Sequence, residues 1–241
     1  IVAAGKGVKV LLVDEQPHPG GSLCYQWGAE GVERRNELLD AAARFENLEI
    51  RTGTTVGGCY GDLWLALFDD QKLLKLRSRS LLVAAGAFEQ PAVFANNDLP
   101  GVMLASGAQR LAHLYGVKPF ERGVILTANR DGYRAAIDLH HAGVKIAAIA
   151  DLRSNGEPTD LARKVADAGI AVHPGCTVYE ARPNDARDGV AAALLGRIGP
   201  QGQVETDSVV EIGCDAITVS VGWAPAGSLL YQAGGRFAYA S

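Results

Sequence analysis

The stretch that decides the fold is KVLLVDEQPHPGGSL, Lys9 to Leu23. Val8–Val13 is a continuous, partly β-branched apolar run, which predicts a buried strand of a parallel sheet. The run ends in two acids, Asp14 and Glu15, and Gly20-Gly21 follows. In a dinucleotide-binding βαβ unit, such an acid accepts hydrogen bonds from the adenosine ribose, because ligands bind at the carboxyl ends of parallel strands. The alternative is an acid that ends a strand in solvent, followed by an ordinary glycine turn.

The residues before this strand, IVAAGKG, predict the tail of a helix that Gly5 or Gly7 closes. In a parallel sheet, a helix that leads into a strand normally follows an earlier strand of the same sheet, so an earlier strand is expected. The sequence is therefore predicted to be truncated ahead of Ile1, where the first glycine-rich loop would lie.

The composition is that of a globular protein. The chain has 241 residues, 48% hydrophobic and 21% charged, with a net charge of −4 and a pI near 5.7. The sequence shows no basic cluster for nucleic acid, no apolar stretch long enough to span a membrane and no signal-peptide pattern. The four cysteines are far apart and form no C-x-x-C pair, which predicts buried thiols in a reducing cytoplasm and no metal site.

The first half of the chain predicts a helix, a meander and a return strand. Helical periodicity covers Gly31–Phe45, and alternating apolar residues predict an antiparallel meander over residues 48–79. A buried strand is predicted at Ser80–Ala84. It runs into Ala84, Ala85, Gly86 and Ala87, whose small size permits close approach of a cofactor. A second helix is predicted over Gly101–Tyr115.

The second half predicts a βαβαβ unit, the doubly wound arrangement of nucleotide-binding domains. A hairpin around Gly199–Gly202 and a buried strand at Ala216–Val221 complete it. The predicted division is a first dinucleotide-binding domain (1–116), a second, inserted one (117–222) and the start of a return to the first (223–241). In the second domain, TANRDGYRAA takes the place of G-x-G-x-x-G and matches only at Gly132. This leaves open a functional second site or a domain that has lost its ligand.

Several motifs together resemble the alpha subunit of heterotetrameric sarcosine oxidase, and more distantly proline dehydrogenase and hydrogen cyanide synthase subunits. They are VDEQPHPGGSL, LLVAAGAFEQPAVFANNDLPGVMLASGAQRL, ILTANRDGYRAA and ITVSVGWAPAGSLLYQAGGRF. The resemblance implies an α/β fold of tandem Rossmann-like domains of the glutathione-reductase type, truncated at both ends. It also implies NAD at the first site, with FAD as the alternative, and FMN and FAD on or between partner beta, gamma and delta subunits. The whole complex would oxidise sarcosine to glycine with hydrogen peroxide.

Carried onto this chain, the resemblance implies a set of cofactor-binding residues and no catalytic residue. The cofactor-binding residues are Asp14, Glu15, Gln16, Gly20, Gly21, Ser22, Ala84, Ala85, Gly86 and Ala87. Because the first glycine loop and the folate-binding region are absent from the sequence, the isolated chain is expected to lack oxidase activity.

Three other functional interpretations of the sequence remain open. An amine or proline dehydrogenase subunit would have the same fold, since the substrate would be chosen on another chain. A pyridine nucleotide-disulfide reductase would need a second cysteine soon after Gly20-Gly21, but only Cys24 follows. A non-catalytic scaffold would hold a nucleotide that never changes its redox state.

Overall fold

A computed structural model describes residues 1–26 and 28–238, so the end of the predicted return segment, residues 239–241, lies outside the described residues. Helices and strands alternate through most of the described chain. The helices are α1 (Gly28–Ala43), α2 (Ala105–Tyr115), α3 (Arg130–His141), α4 (Asp160–Asp167) and α5 (Ser228–Gln232). The strands are β1 (Val10–Val13), β2 (Leu48–Arg51), β3 (Thr55–Tyr60), β4 (Trp64–Phe68), β5 (Leu73–Arg77), β6 (Ala87–Glu89), β7 (Val102–Leu104), β8 (Arg122–Thr127), β9 (Lys145–Asp151), β10 (Ala171–Pro174), β11 (Cys176–Pro183), β12 (Val190–Ile198), β13 (Val204–Gly213), β14 (Ala216–Ser220) and β15 (Trp223–Pro225).

Contacts divide the chain into two compact units. Unit 1 contains Ile1–Leu23, Ala29–Phe88 and the chain from Pro225 onward, and unit 2 contains Cys24–Gly28 and Glu89–Ala224. The predicted domain boundary between residues 116 and 117 stays a prediction. The contacts group residues 89–116 with unit 2, because β7 is a strand of its sheet.

In unit 1, β1 confirms the strand predicted from the apolar run. It pairs in parallel with β2, from Val10 opposite Leu48 to Val13 opposite Arg51, and α1 lies between the two strands in the sequence. The predicted helix tail is a short 3-10 turn with Gly7 as its left-handed cap, at φ +79°. β1 is half-buried rather than buried, because β2 is its only neighbouring strand among the described residues.

The predicted meander is also present in unit 1, as the antiparallel sheet β3-β4-β5. The alternation in β4 buries Leu65 and Leu67 and leaves Trp64 and Phe68 exposed. Burying a leucine side chain contributes about 1.5–3 kcal/mol to the free energy of unfolding. The face of β4 that carries Leu65 and Leu67 therefore supplies the core of the meander. Leu11 and Val13 of β1 pack against the same core.

The prediction of a buried strand at Ser80–Ala84 is wrong. Residues 81–86 form no strand, and Leu82 is 91% exposed. An apolar run shows that a segment favours burial, but a strand also needs a neighbour to accept its backbone hydrogen bonds. None of the described strands pairs with this segment.

Unit 2 confirms the predicted βαβαβ arrangement. Its parallel sheet has the order β10-β9-β8-β14-β7. Asn129 caps α3 and Thr159 caps α4, each accepting a backbone N–H two residues ahead. The helix predicted over Gly101–Tyr115 begins only at Ala105, because Val102–Leu104 pairs with β14 as β7.

The sheet of unit 2 is covered on both faces, which explains its continuous apolar strands. Ile125 of β8 packs on the helical side with Tyr133, Leu139 and Val165. The alternate residues, Val124 and Leu126, pack on the other side against the antiparallel sheet β11-β12-β13. That sheet contains the predicted hairpin, whose turn is closed by Gly202 N donating to Gly199 O at 2.9 Å.

Candidate functional site

The tip of β1 fixes the main chain of Asp14 and leaves part of its carboxylate available. Asp14 N donates to Arg51 O at 2.9 Å, and Thr54 N donates to Asp14 O at 3.1 Å. Asp14 Oδ1 accepts from Gln16 N at 2.9 Å, the geometry of an Asx turn. Within residues 1–26 and 28–238, Asp14 Oδ2 accepts no hydrogen bond. This half-buried carboxylate can therefore accept a ligand hydroxyl.

Glu15 and Gln16 continue the chain past the strand and are exposed. Gln16 O accepts from Gly53 N at 3.0 Å, which ties this turn to the connection between β2 and β3. Asp14, Glu15 and Gln16 thus follow the carboxyl end of β1, and their role in binding a cofactor stays a prediction.

Glycine stands at positions 20 and 21 for two different physical reasons. Gly20 has φ +132°, and a Cβ there would lie 2.7 Å from Arg35 Cδ of α1. Gly21 has φ +54° with open space around it, and Ser22 beside it is exposed. Arg35 Nε donates to Pro19 O at 2.6 Å. The first glycine therefore makes room for Arg35, and only the second leaves the backbone open to a ligand.

Arg35 is a residue that the sequence analysis missed. It is half-buried and brings a guanidinium group to the loop that contains Gly20. The sequence carries little signal for it, because one arginine within a charged helix face looks like any solvated residue.

The segment Ala84-Ala85-Gly86-Ala87 lies elsewhere in unit 1 and is exposed. Gly86 has φ +71°, and its carbonyl accepts from Ala226 N at 3.0 Å. In the described part of the chain, no hydrogen bond joins this segment to Asp14, Glu15 or Gln16. No direct hydrogen bond thus joins the two groups of predicted site residues, and their joint role stays a prediction.

Unit 2 has a comparable edge, where Thr127 of β8 lies opposite Asp151 of β9. Thr127 Oγ1 lies 2.9 Å from the carbonyl oxygens of Asn129 and Ser220, and accepts from Asn129 N at 3.2 Å. Asn129 Oδ1 accepts from Asp131 N at 2.8 Å. The loop that would hold a pyrophosphate is thus bonded to its own side chains.

Asp151 was missed by the sequence analysis, although it ends a buried apolar strand just as Asp14 does. Its carboxylate is fully buried. Oδ2 accepts from Tyr133 Oη at 2.9 Å and from Arg153 Nη2 at 2.8 Å. Oδ1 accepts from Arg153 N and Nε at 2.9 and 3.0 Å. Every acceptor direction of this carboxylate is therefore in use.

The groups around Asp151 have shifted pKa values. Burial, followed by the hydrogen bond to Asp151, raises the pKa of the Tyr133 hydroxyl. The hydrogen bond to Asp151 raises the pKa of Arg153. Burial alone would raise the pKa of Glu157, but hydrogen bonds from Thr159 and Arg153 outweigh it and hold that pKa below its ordinary value. The Asp151 carboxylate therefore contributes to the raised pKa of both Tyr133 and Arg153.

Other features limit the chemistry of the described residues. They contain no group of three His, Cys, Asp or Glu side chains placed to hold a metal ion, and no helix long and apolar enough to cross a membrane. In the same part of the chain the cysteines form no disulfide. Three of them are buried as predicted, whereas Cys24 is half-buried.

The fold is the α/β arrangement of the glutathione-reductase type, as the sequence predicts. Thioredoxin reductase from T. acidophilum superposes with a TM-score of 0.72 over 94% of this chain and 73% of its own, at 18% identity. L-Proline dehydrogenase from P. horikoshii superposes with a TM-score of 0.65 over 95% and 40%, at 19% identity. At such identities the likeness shows the fold alone.

Two sarcosine oxidase alpha subunits are similar to the chain in sequence. That of Rhizobium meliloti (strain 1021) is 33% identical over 171 residues, 64% of this chain and 17% of the relative. That of Corynebacterium sp. (strain P-1) is 26% identical over 258 residues, 98% of this chain and 26% of the relative. The predicted resemblance is confirmed, and the chain spans only about a quarter of these relatives or less. No protein-family model matches the chain.

Proposed function

We propose that this chain is the nucleotide-binding part of a sarcosine oxidase-like alpha subunit, with NAD bound at the tip of β1. The observation that carries the proposal is Asp14, whose main chain is fixed and whose Oδ2 has no hydrogen-bond donor among the described residues. The fold and the sequence relatives support membership of an oxidoreductase complex. FAD is the alternative occupant.

Each residue at this edge has a defined part in the proposal. Asp14 accepts hydrogen bonds from the ribose hydroxyls, and its charge disfavours a 2′-phosphate. Gly21 leaves the backbone open beside the nucleotide. The remaining lining is the rest of the predicted set, namely Glu15, Gln16, Gly20, Ser22, Ala84, Ala85, Gly86 and Ala87.

The reaction belongs to the whole complex. We place FMN and FAD on or between partner beta, gamma and delta subunits in the cytoplasm, where sarcosine would be demethylated to glycine with formation of hydrogen peroxide. This chain would hold the nucleotide and scaffold those subunits. The isolated chain should therefore form no peroxide from sarcosine. If NAD stays oxidised while the assembled complex turns over, the nucleotide is structural rather than a redox carrier.

The test is calorimetric titration of the full-length subunit and of this chain with NAD, FAD and ATP, for the wild type and Asp14→Asn. A hydrogen bond to a charged acceptor contributes about 1.5–3 kcal/mol, so Asp14→Asn should weaken binding about ten- to hundredfold. The ranking of the three ligands names the occupant.

The chain offers a matched control in Asp69→Asn. Asp69 also follows a strand of unit 1, and its Oδ1 accepts from Gln71 N at 2.9 Å and Lys72 N at 3.0 Å. It lies in the antiparallel meander, where no ribose is proposed, so its substitution should leave affinity unchanged. Equal effects of the two substitutions would remove the ribose role from Asp14.

A further inference from the structure

We infer that unit 2, despite its dinucleotide-binding fold, takes no dinucleotide, because its own side chains occupy the position where the fold would hold one. In a doubly wound sheet that position lies beyond the carboxyl ends of the strands, at the reversal of strand order. In unit 2 the reversal lies at β8, between β9 and β14. The loop from β8 to α3 is therefore the one a pyrophosphate would contact.

The backbone N–H groups of residues 128, 129 and 131 in that loop are already used. In a pyrophosphate loop, glycines let the phosphates approach and the N–H groups at the helix start point at them. Here Thr127 and Asn129 replace two glycines, and their side chains accept from Asn129 N and Asp131 N. Gly132 keeps α3 close, since a Cβ there would lie 2.3 Å from Thr127 Oγ1.

Two charged groups near the start of α3 are also engaged by each other, because Arg134 Nη1 donates to Asp131 Oδ1 at 3.0 Å. Asp131 lies in the first turn of α3, where the helix would otherwise attract an anion, and its Oδ2 accepts from Trp223 Nε1 at 3.0 Å. Buried Glu89 accepts from Ser106 N in the first turn of α2 at 2.8 Å. Asp131 thus places a negative charge in the first turn of α3, and Arg134 is already bonded to it.

The ribose position is closed as well. Asp151 ends β9, where an acid would read the ribose, but Tyr133 and Arg153 engage both of its oxygens. Arg153, the candidate for a 2′-phosphate, also contacts Glu157 Oε2 at 3.2 Å through both terminal nitrogens. Asp151 and Arg153, the two side chains that could distinguish NAD from NADP, are therefore bonded to each other.

The test is hydrogen exchange of residues 127–134 and 151–157 in the assembled complex with the full-length subunit, with and without saturating NADH or NADPH. It is run for the wild type and for Asp14→Ala. Exchange in both segments should be the same with and without nucleotide. Nucleotide-dependent protection of either segment would overturn the inference.

The closure itself is tested by Thr127→Val, which keeps the shape of the side chain and removes the hydroxyl that accepts from Asn129 N and donates to a backbone carbonyl. Loss of the hydrogen bond from Asn129 N should speed exchange of that amide about tenfold, whereas Thr159→Val should affect only the start of α4. Unchanged exchange at Asn129 would show that Thr127 does not close the loop. If the wild type binds no nucleotide and residues 9–23 stay unprotected, the proposed role of Asp14 fails. Hydrogen exchange of residues 127–134 still tests the inference about unit 2 separately.

Discussion

Replacing Asp151 by Asn probes the buried ion pair of unit 2. The substitution keeps the shape of the side chain but removes its charge, and it turns one acceptor into an NH2 that faces donors. The carboxylate accepts four hydrogen bonds, one from Tyr133 and three from Arg153. Removing one partner of a buried pair costs about 3–5 kcal/mol. Because Arg153 is 32% exposed and keeps Glu157, the low end of that range is expected.

The assay is native-state hydrogen exchange at the amides of β8 and β9, which measures opening of unit 2 separately from unit 1. The control is Asp160→Asn, which removes an ion pair with Lys164 in which both side chains are 57% exposed. Such a surface pair contributes well under about 1 kcal/mol. If Asp151→Asn lowers the opening free energy no more than Asp160→Asn, the carboxylate does not stabilise this edge and the reasoning fails.

Two further predictions concern buried titratable groups of unit 2. Burial raises the pKa of Glu89 above its ordinary value of 4.5, despite the hydrogen bonds from Ser106. The folded state thus binds a proton at higher pH than the unfolded chain, so the free energy of unfolding should fall as pH rises from 4.5 through the raised pKa. Unfolding at a series of pH values should show a flatter profile for Glu89→Gln, and parallel profiles would contradict this. Burial also raises the pKa of Cys214 to about 11, so this thiol should resist alkylation at pH 8 until urea unfolds unit 2, whereas labelling in the native state would refute the prediction.

Much of the fold follows from local pattern. The apolar run that becomes β1 and the alternation of β4 each mark their element within a few residues. These signals are readable because the periodicity of a strand depends on residues that are neighbours in the chain.

The segment at residues 81–86 shows where such signals stop. Its apolar residues resemble those of β14, yet only β14 has neighbours on both sides, β7 and β8. Likewise, Val102–Leu104 reads as the start of a helix until β14 pairs with it as β7. Strand pairing joins residues far apart in the chain, so it has no local signature.

The candidate sites divide along the same line. The sequence by itself determined that acids follow apolar strands, and it gives Asp14 and Asp151 nearly the same local signal. Only the tertiary structure decided that Asp14 keeps an available oxygen, whereas Tyr133 and Arg153 engage all of Asp151. It also decided that Gly20 is needed because Arg35 of α1 packs on it. The physical reason is that a side chain's chemistry depends on which donors and charges the fold brings to it, and those come from distant residues.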